Sequence, residues 1–207
     1  YGKPHHAEWT RATRAQNAIL VDGEGQVIRD HRARGEIVDF EHAGALSYVC
    51  GDAAEAYHGR LDAWQRHLFF VRPGLLVIVD DVAAPQVSTF QWLLHALEPM
   101  ALDEAAQRVE IVREDVRMDV DLVSTLGQAL SFSQSDRFEP PVDAGQPPAY
   151  DDRKPDHYHF TAETPVRTDR IRFVAVARMG RVDAMPDVSV ERDGDRLIAT
   201  LKDEAGE

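Results

Sequence analysis

Short runs rich in β-branched and aromatic residues, each followed by a turn signal, succeed one another along nearly the whole chain. A series of that kind can bury its apolar side chains only by pairing into antiparallel sheets that stack on each other. The pattern predicts strands over 18–21, 26–29, 36–42, 46–50, 64–71, 75–79, 88–96, 109–113, 118–123, 130–133, 157–161, 170–177, 188–192 and 196–201. Arg72-Pro-Gly74 and Arg192-Asp-Gly-Asp195 fall between neighbouring runs and are predicted to close hairpins. Only 102–107 reads as helix. The expected fold class is therefore all-β, a large antiparallel β-sandwich of two or more stacked sheets.

With 43% hydrophobic and 29% charged residues, the 207-residue chain belongs among globular proteins, and all-β assemblies of this length commonly form one unit. A single domain over 1–207 is expected. Residues 138–156 hold five of the eleven prolines and no apolar period, so they are predicted to form a long surface loop. The formal charge of −13 argues against nucleic acid or an anionic membrane as a partner. It also means that an acidic substrate would need a local basic cluster. Cys50 is the single cysteine, which excludes an internal disulfide, and its flanks predict a buried residue. No apolar run approaches the ~20 residues of a membrane helix.

Candidate chemistry gathers near the start. His5 and His6 are adjacent, so on an extended backbone their side chains would face opposite ways and divide their roles, one toward a metal and one toward substrate. Asp22 ends the apolar run Ala18-Ile-Leu-Val21 and precedes Gly23, which suits either a turn or a ligand. In Glu36-Ile-Val-Asp-Phe-Glu-His42, alternation would put His42 on one face with Val38 and Phe40, either as a core histidine or as a third ligand, with His58 in reserve. Arg11 and Arg14 can each take a carboxylate in a bidentate fork. Asn17 and Gln16 add polar donors, and Trp9 suits either stacking on a sugar ring or anchoring in a core. His157-Tyr-His159 has the spacing that puts both imidazoles on one strand face, an alternative metal or substrate pair. His67 and His95 lie in apolar runs and are expected to pack. Phosphate loops, nucleophile elbows and cysteine clusters are absent from the sequence.

Three stretches together, Tyr1–Gln26, Gly51–Tyr57 and Arg66–Asp80, resemble the C-terminal β-sheet domain of the heparinase II/III-like polysaccharide lyases. The resemblance implies that a helical (α/α) toroid precedes this domain in the parent protein and is absent here, the chain being the downstream piece. It implies β-elimination on a uronic-acid-containing acidic polysaccharide of alginate or glycosaminoglycan type, with His5 catalytic. His6 and Asp22 would be ligands, joined by His42, of Zn²⁺ or another divalent cation in a structural or supporting role. Arg11, Arg14, Trp9 and Asn17 would contact substrate. A periplasmic or secreted location follows, with the cytoplasm the alternative for an oligosaccharide lyase, and a homodimer is left open. The competing class is a non-catalytic carbohydrate-binding or structural β-sandwich module.

Overall fold

The computed structural model describes residues 5–138, 157–193 and 196–201. Its strands are β1 (Ile19–Val21), β2 (Glu36–Ala43), β3 (Leu46–Asp52), β4 (Ala63–Val71), β5 (Leu75–Ser88), β6 (Phe90–Ala96) and β7 (Ala101–Asp103). They continue with β8 (Arg108–Arg113), β9 (Val116–Ser124), β10 (Ser131–Ser135), β11 (Tyr158–Glu163), β12 (Thr168–Arg181), β13 (Val188–Asp193) and β14 (Arg196–Leu201). The larger sheet runs β2-β3-β4-β5-β12-β9-β8-β7, the smaller β1-β6-β11-β10, and β13 pairs with β14 apart from both. Every pairing is antiparallel, as the run-and-turn pattern predicts.

Alternation decides which side chains fill the sandwich. In β6, Phe90, Trp92 and Leu94 enter the core, and in β11 Phe160 and Ala162 do; from the larger sheet come Trp64, Val82, Val120, Leu122, Ile171 and Phe173. Phe90, Phe160 and Phe173 are wholly buried, each contributing on the order of 2 kcal/mol of transfer free energy. A buried carboxylate sits among them. Asp80, fully buried, accepts hydrogen bonds from Trp64 Nε1 at 2.8 Å, Arg66 Nε at 2.7 Å and Nη2 at 2.9 Å, and Trp92 Nε1 at 3.0 Å. The Trp92 bond joins the two sheets, and the Arg66 guanidinium balances the charge that burial would otherwise make prohibitive.

Both predicted hairpins form. Val71 faces Leu75 across the first, and Asp193 faces Arg196 across the second, whose residues 194–195 lie outside the described ones. Four expectations fail for physical reasons. Residues 26–29 form no strand, since Arg29 takes a left-handed turn conformation at φ 61°. The helix expected at 102–107 is instead β7 and a tight turn, closed by the Gln107 N–H donating to Glu104 O, while the Gln107 side-chain amide donates to Leu130 O and accepts from Leu130 N. The apolar run at 75–79 continues as strand to Ser88. Finally, β2 has no core face: Phe40 is 67% exposed because β2 is the edge of the larger sheet, and a register shift between Ile37 and Asp39 breaks its alternation. Most of the proline-rich stretch, 139–156, lies outside the described residues. Among the described residues no helix is long and apolar enough to cross a membrane.

Candidate functional site

The outward side chains of the smaller sheet, among them Leu20, Leu93, His95, His159 and Thr161, face away from the sandwich core. Leu20 and Leu93 are nevertheless buried, and they do not belong to that core. The N-terminal segment is what covers them. It forms a helical turn at His6–Thr10 and a second at Thr13–Ala15, too short for the 3.6-residue periodicity that reveals a helix in sequence. Trp9 lies 6% exposed, its ring 4.6 Å from that of His159 and 5.5 Å from that of Phe138, with the Arg14 guanidinium 5.4 Å above it. The segment's far end is held by Thr13, whose hydroxyl accepts the Gln26 N–H at 2.7 Å. Gly25 makes this approach feasible, because a Cβ there would sit 2.3 Å from Thr13 Cβ.

Beneath the segment three imidazoles meet. The β6–β11 register sets His95 opposite His159, and the ring centroids of His95, His157 and His159 lie 4.8–5.2 Å apart. Asn17 Oδ1 accepts from the His95 backbone N–H at 2.9 Å and faces His95 Nδ1 at 3.0 Å, while Nε2 faces the Arg14 carbonyl at 3.0 Å. The backbone bond fixes the orientation of the Asn17 amide, so both ring nitrogens look onto oxygens that can only accept. A neutral imidazole has one N–H and can satisfy only one of them. Burial still pushes the His95 pKa down to about 4, against the pull of the Arg14 carbonyl. His159 is pushed down to about 4 as well, by burial first and by His95 and His157 second, and burial lowers His157. Arg66 completes the anchoring: Nη1 donates to Asn17 O while its other nitrogens hold Asp80.

The residues expected to act together divide as follows. His5, Trp9, Arg14 and Asn17 converge on this face, with the His5 ring edge-on to Phe138 at 5.1 Å. His5 and His6 occupy a helical turn, not extended backbone, so the opposite-faces argument fails, although their surroundings still differ. His6 Nε2 accepts from Arg11 Nε at 3.1 Å, so Arg11 is engaged with His6; the imidazole is held below its ordinary value by desolvation and then by the Arg11 charge. Asp22 accepts from Thr89 N and Oγ1 and pairs with Arg167, and its carboxyl is held below the usual range, chiefly by the Thr89 N–H. His42 bonds Ser47 Oγ at 3.0 Å beside the β2–β3 turn, on an exposed strand and not in a core. His6, Asp22 and His42 thus have three separate sets of neighbours, and among the described residues no group of three His, Cys, Asp or Glu could hold a metal. As placed, these side chains do not fit a zinc ion. His58 stands 3.8 Å from Asp30, apart from all of them. Cys50 is buried as expected, and burial raises its thiol pKa.

Sequence reasoning missed Phe138 and the role of Arg66, and it assigned His95 to packing. The pair His157 and His159 was visible as an i, i+2 spacing, but its meeting with His95 depends on a pairing between distant strands.

The family model described as Heparinase II/III-like, C-terminal matches residues 1–178. Among solved structures, the fold is similar to that of a heparinase III gene product, at 13% identity and a TM-score of 0.67, covering 94% of this chain and 31% of that one. It is also similar to heparan sulfate lyase HepC from Pedobacter heparinus, at 14% identity and a TM-score of 0.67, covering 93% of this chain and 31% of that one. At such identities the likeness is one of fold, and the chain spans about a third of the length of these structures. No curated protein matches it.

Proposed function

This chain belongs to the heparinase II/III-like C-terminal family, and from that premise we propose that it is the β-sandwich part of a polysaccharide lyase that cleaves a uronic-acid-containing chain by β-elimination. The family match carries the reading, since its 1–178 span takes in the whole face roofed by the N-terminal segment. The remaining catalytic groups would come from a helical toroid elsewhere in the parent protein.

Elimination removes the proton at C5, needs the adjacent carboxylate neutralised as charge develops, and returns a proton to the departing O4. His5 is the group on this chain for proton transfer, standing at the segment's start against Phe138. Arg14 is the carboxylate partner, and Arg11 supports it indirectly by holding His6. Because His6, Asp22 and His42 lie apart, no step is assigned to a metal.

The test is ultraviolet absorbance of unsaturated uronate products with alginate, heparin and chondroitin. The 207-residue chain alone should give none, and the protein including a toroid should give product from at least one polymer. Substantial turnover by the chain alone, or no product from the longer protein on any of the three, would remove the reading.

A further inference from the structure

A groove of about 400 Å³ lies over the smaller sheet, lined by Trp9, Arg14, Ser133, Ser135, His159 and Thr161, with Arg137 exposed beside them. That volume is in the range of small-molecule sites. Its most unusual member is His159. The residue is 9% exposed, and neither ring nitrogen has a hydrogen-bond partner among the described residues. The rings of Trp9, Phe138, His95 and His157 surround it without supplying one. A buried donor and acceptor left unpaired destabilise a fold, and native proteins seldom retain them without a use.

We infer that this groove is a subsite for one acidic sugar ring, with His159 hydrogen-bonded to ring hydroxyls and Arg14 and Arg137 holding the carboxylate or sulfate. The class of ligand rests on the lyase reading above, whereas the groove and its unpaired imidazole do not. Burial keeps His159 neutral near pH 7, so it offers one donor and one acceptor. Those are the complements of a hydroxyl and not of an anion. The anion falls to the guanidinium groups, whose planar forks match carboxylate and sulfate oxygens. Ser133, Ser135 and Thr161 supply further hydroxyl partners, and Trp9 an apolar wall for the C–H face of a pyranose. Phe138, more exposed than Trp9 and edge-on to the His159 ring at 5.3 Å, is the neighbour whose displacement would open the imidazole nitrogens to the ligand.

The experiment is calorimetric titration of the full 207-residue chain with tetrasaccharides from alginate, which carry carboxylates, and from heparan sulfate, which carry sulfates as well. His159→Phe keeps an aromatic ring in the box and removes only the nitrogens, so it should weaken binding by ~5-fold or more while the melting temperature holds or rises. Arg137→Gln should weaken it by a similar factor. Equal losses on both ligands place a carboxylate between the arginines, and a loss confined to the sulfated ligand places a sulfate there. Wild-type affinity in His159→Phe overturns the subsite, as does a lowered melting temperature, which would make the nitrogens part of the fold. If the longer protein cleaves uronate polymers while His159→Phe binds like wild type, the subsite alone fails. Should it cleave none while the binding losses stand, the lyase reading alone fails.

Discussion

Arg66 holds the fully buried carboxylate of Asp80 through two hydrogen bonds, Nε to Oδ1 at 2.7 Å and Nη2 to Oδ2 at 2.9 Å. The same guanidinium donates its third contact to the Asn17 carbonyl, so the charge that braces the core also braces the roof of the candidate site. Removing one partner of such a pair strands the other, at a cost of about 3–5 kcal/mol. Asp80→Ala should therefore lower the urea midpoint steeply and loosen the segment that carries Trp9, seen as a change in tryptophan fluorescence below the transition. Glu55→Ala, which breaks an exposed pair with Arg34, should leave the midpoint almost unchanged. Similar midpoints for the two variants would show that the Asp80 network does not brace the fold.

Stability should fall with acid over a particular window. His95 and His159 sit near 4 in the fold, whereas an unfolded histidine titrates near 6.5. Between those values the unfolded chain binds protons that the folded chain excludes, so stability is lost as pH falls from ~6.5 to ~4 and levels off below. Each histidine can contribute at most about 1.4 kcal/mol per pH unit there. The two rings are 5.2 Å apart, and the charge of His95 adds to burial in lowering His159. Urea midpoints measured near pH 7 and near pH 5 should differ, and His159→Phe should remove roughly half of the difference. A flat profile in the wild type would mean that both rings take up protons without disturbing the fold.

The strand pattern made the sandwich legible because alternation survives in its central strands: Phe90, Trp92 and Leu94 read inward and Gln91, Leu93 and His95 outward. Reasoning of the same kind failed on β2, where a register shift and an edge position leave Val38, Phe40 and His42 exposed. The site was legible in its members more than in its geometry. His5, Trp9, Arg14 and Asn17 do share one face, but His6 and Arg11 satisfy each other, and no local spacing reveals that. The meeting of His95 with His159 is set by strand register over a long separation, which a single sequence does not encode in any short motif.

Asp22 offers a test of the metal expectation. Its carboxylate is occupied by Thr89 and Arg167, and His6 and His42 have other partners. Protein prepared without chelator should contain well under one zinc per chain, and Asp22→Ala should not change that content. What the substitution should alter is acid sensitivity. The Asp22 carboxyl is held below its usual value, so its contribution is present above the unfolded carboxylate pKa and fades as pH falls through the folded one. Close to one zinc per chain in the wild type, lost in Asp22→Ala, would restore His6, Asp22 and His42 as a ligand set.

The two adjacent histidines separate the catalytic expectation from the structural one. The His5 ring stands edge-on to Phe138 at 5.1 Å at the start of the segment, whereas His6 accepts the Arg11 N–H across the helical turn. In the longer protein, His5→Ala should lower kcat by ~10²-fold or more, the usual scale for a lost proton-transfer group, with KM and melting temperature nearly unchanged. His6→Ala should act through Arg11 instead, raising KM as the segment loses its order, with a smaller fall in kcat and no change in metal content. His6→Gln, whose side-chain oxygen can still accept from Arg11, should recover much of the KM. Equal losses of kcat in both alanine variants, or full activity in His5→Ala, would remove His5 from the reaction and leave the pair as part of the roof over the groove.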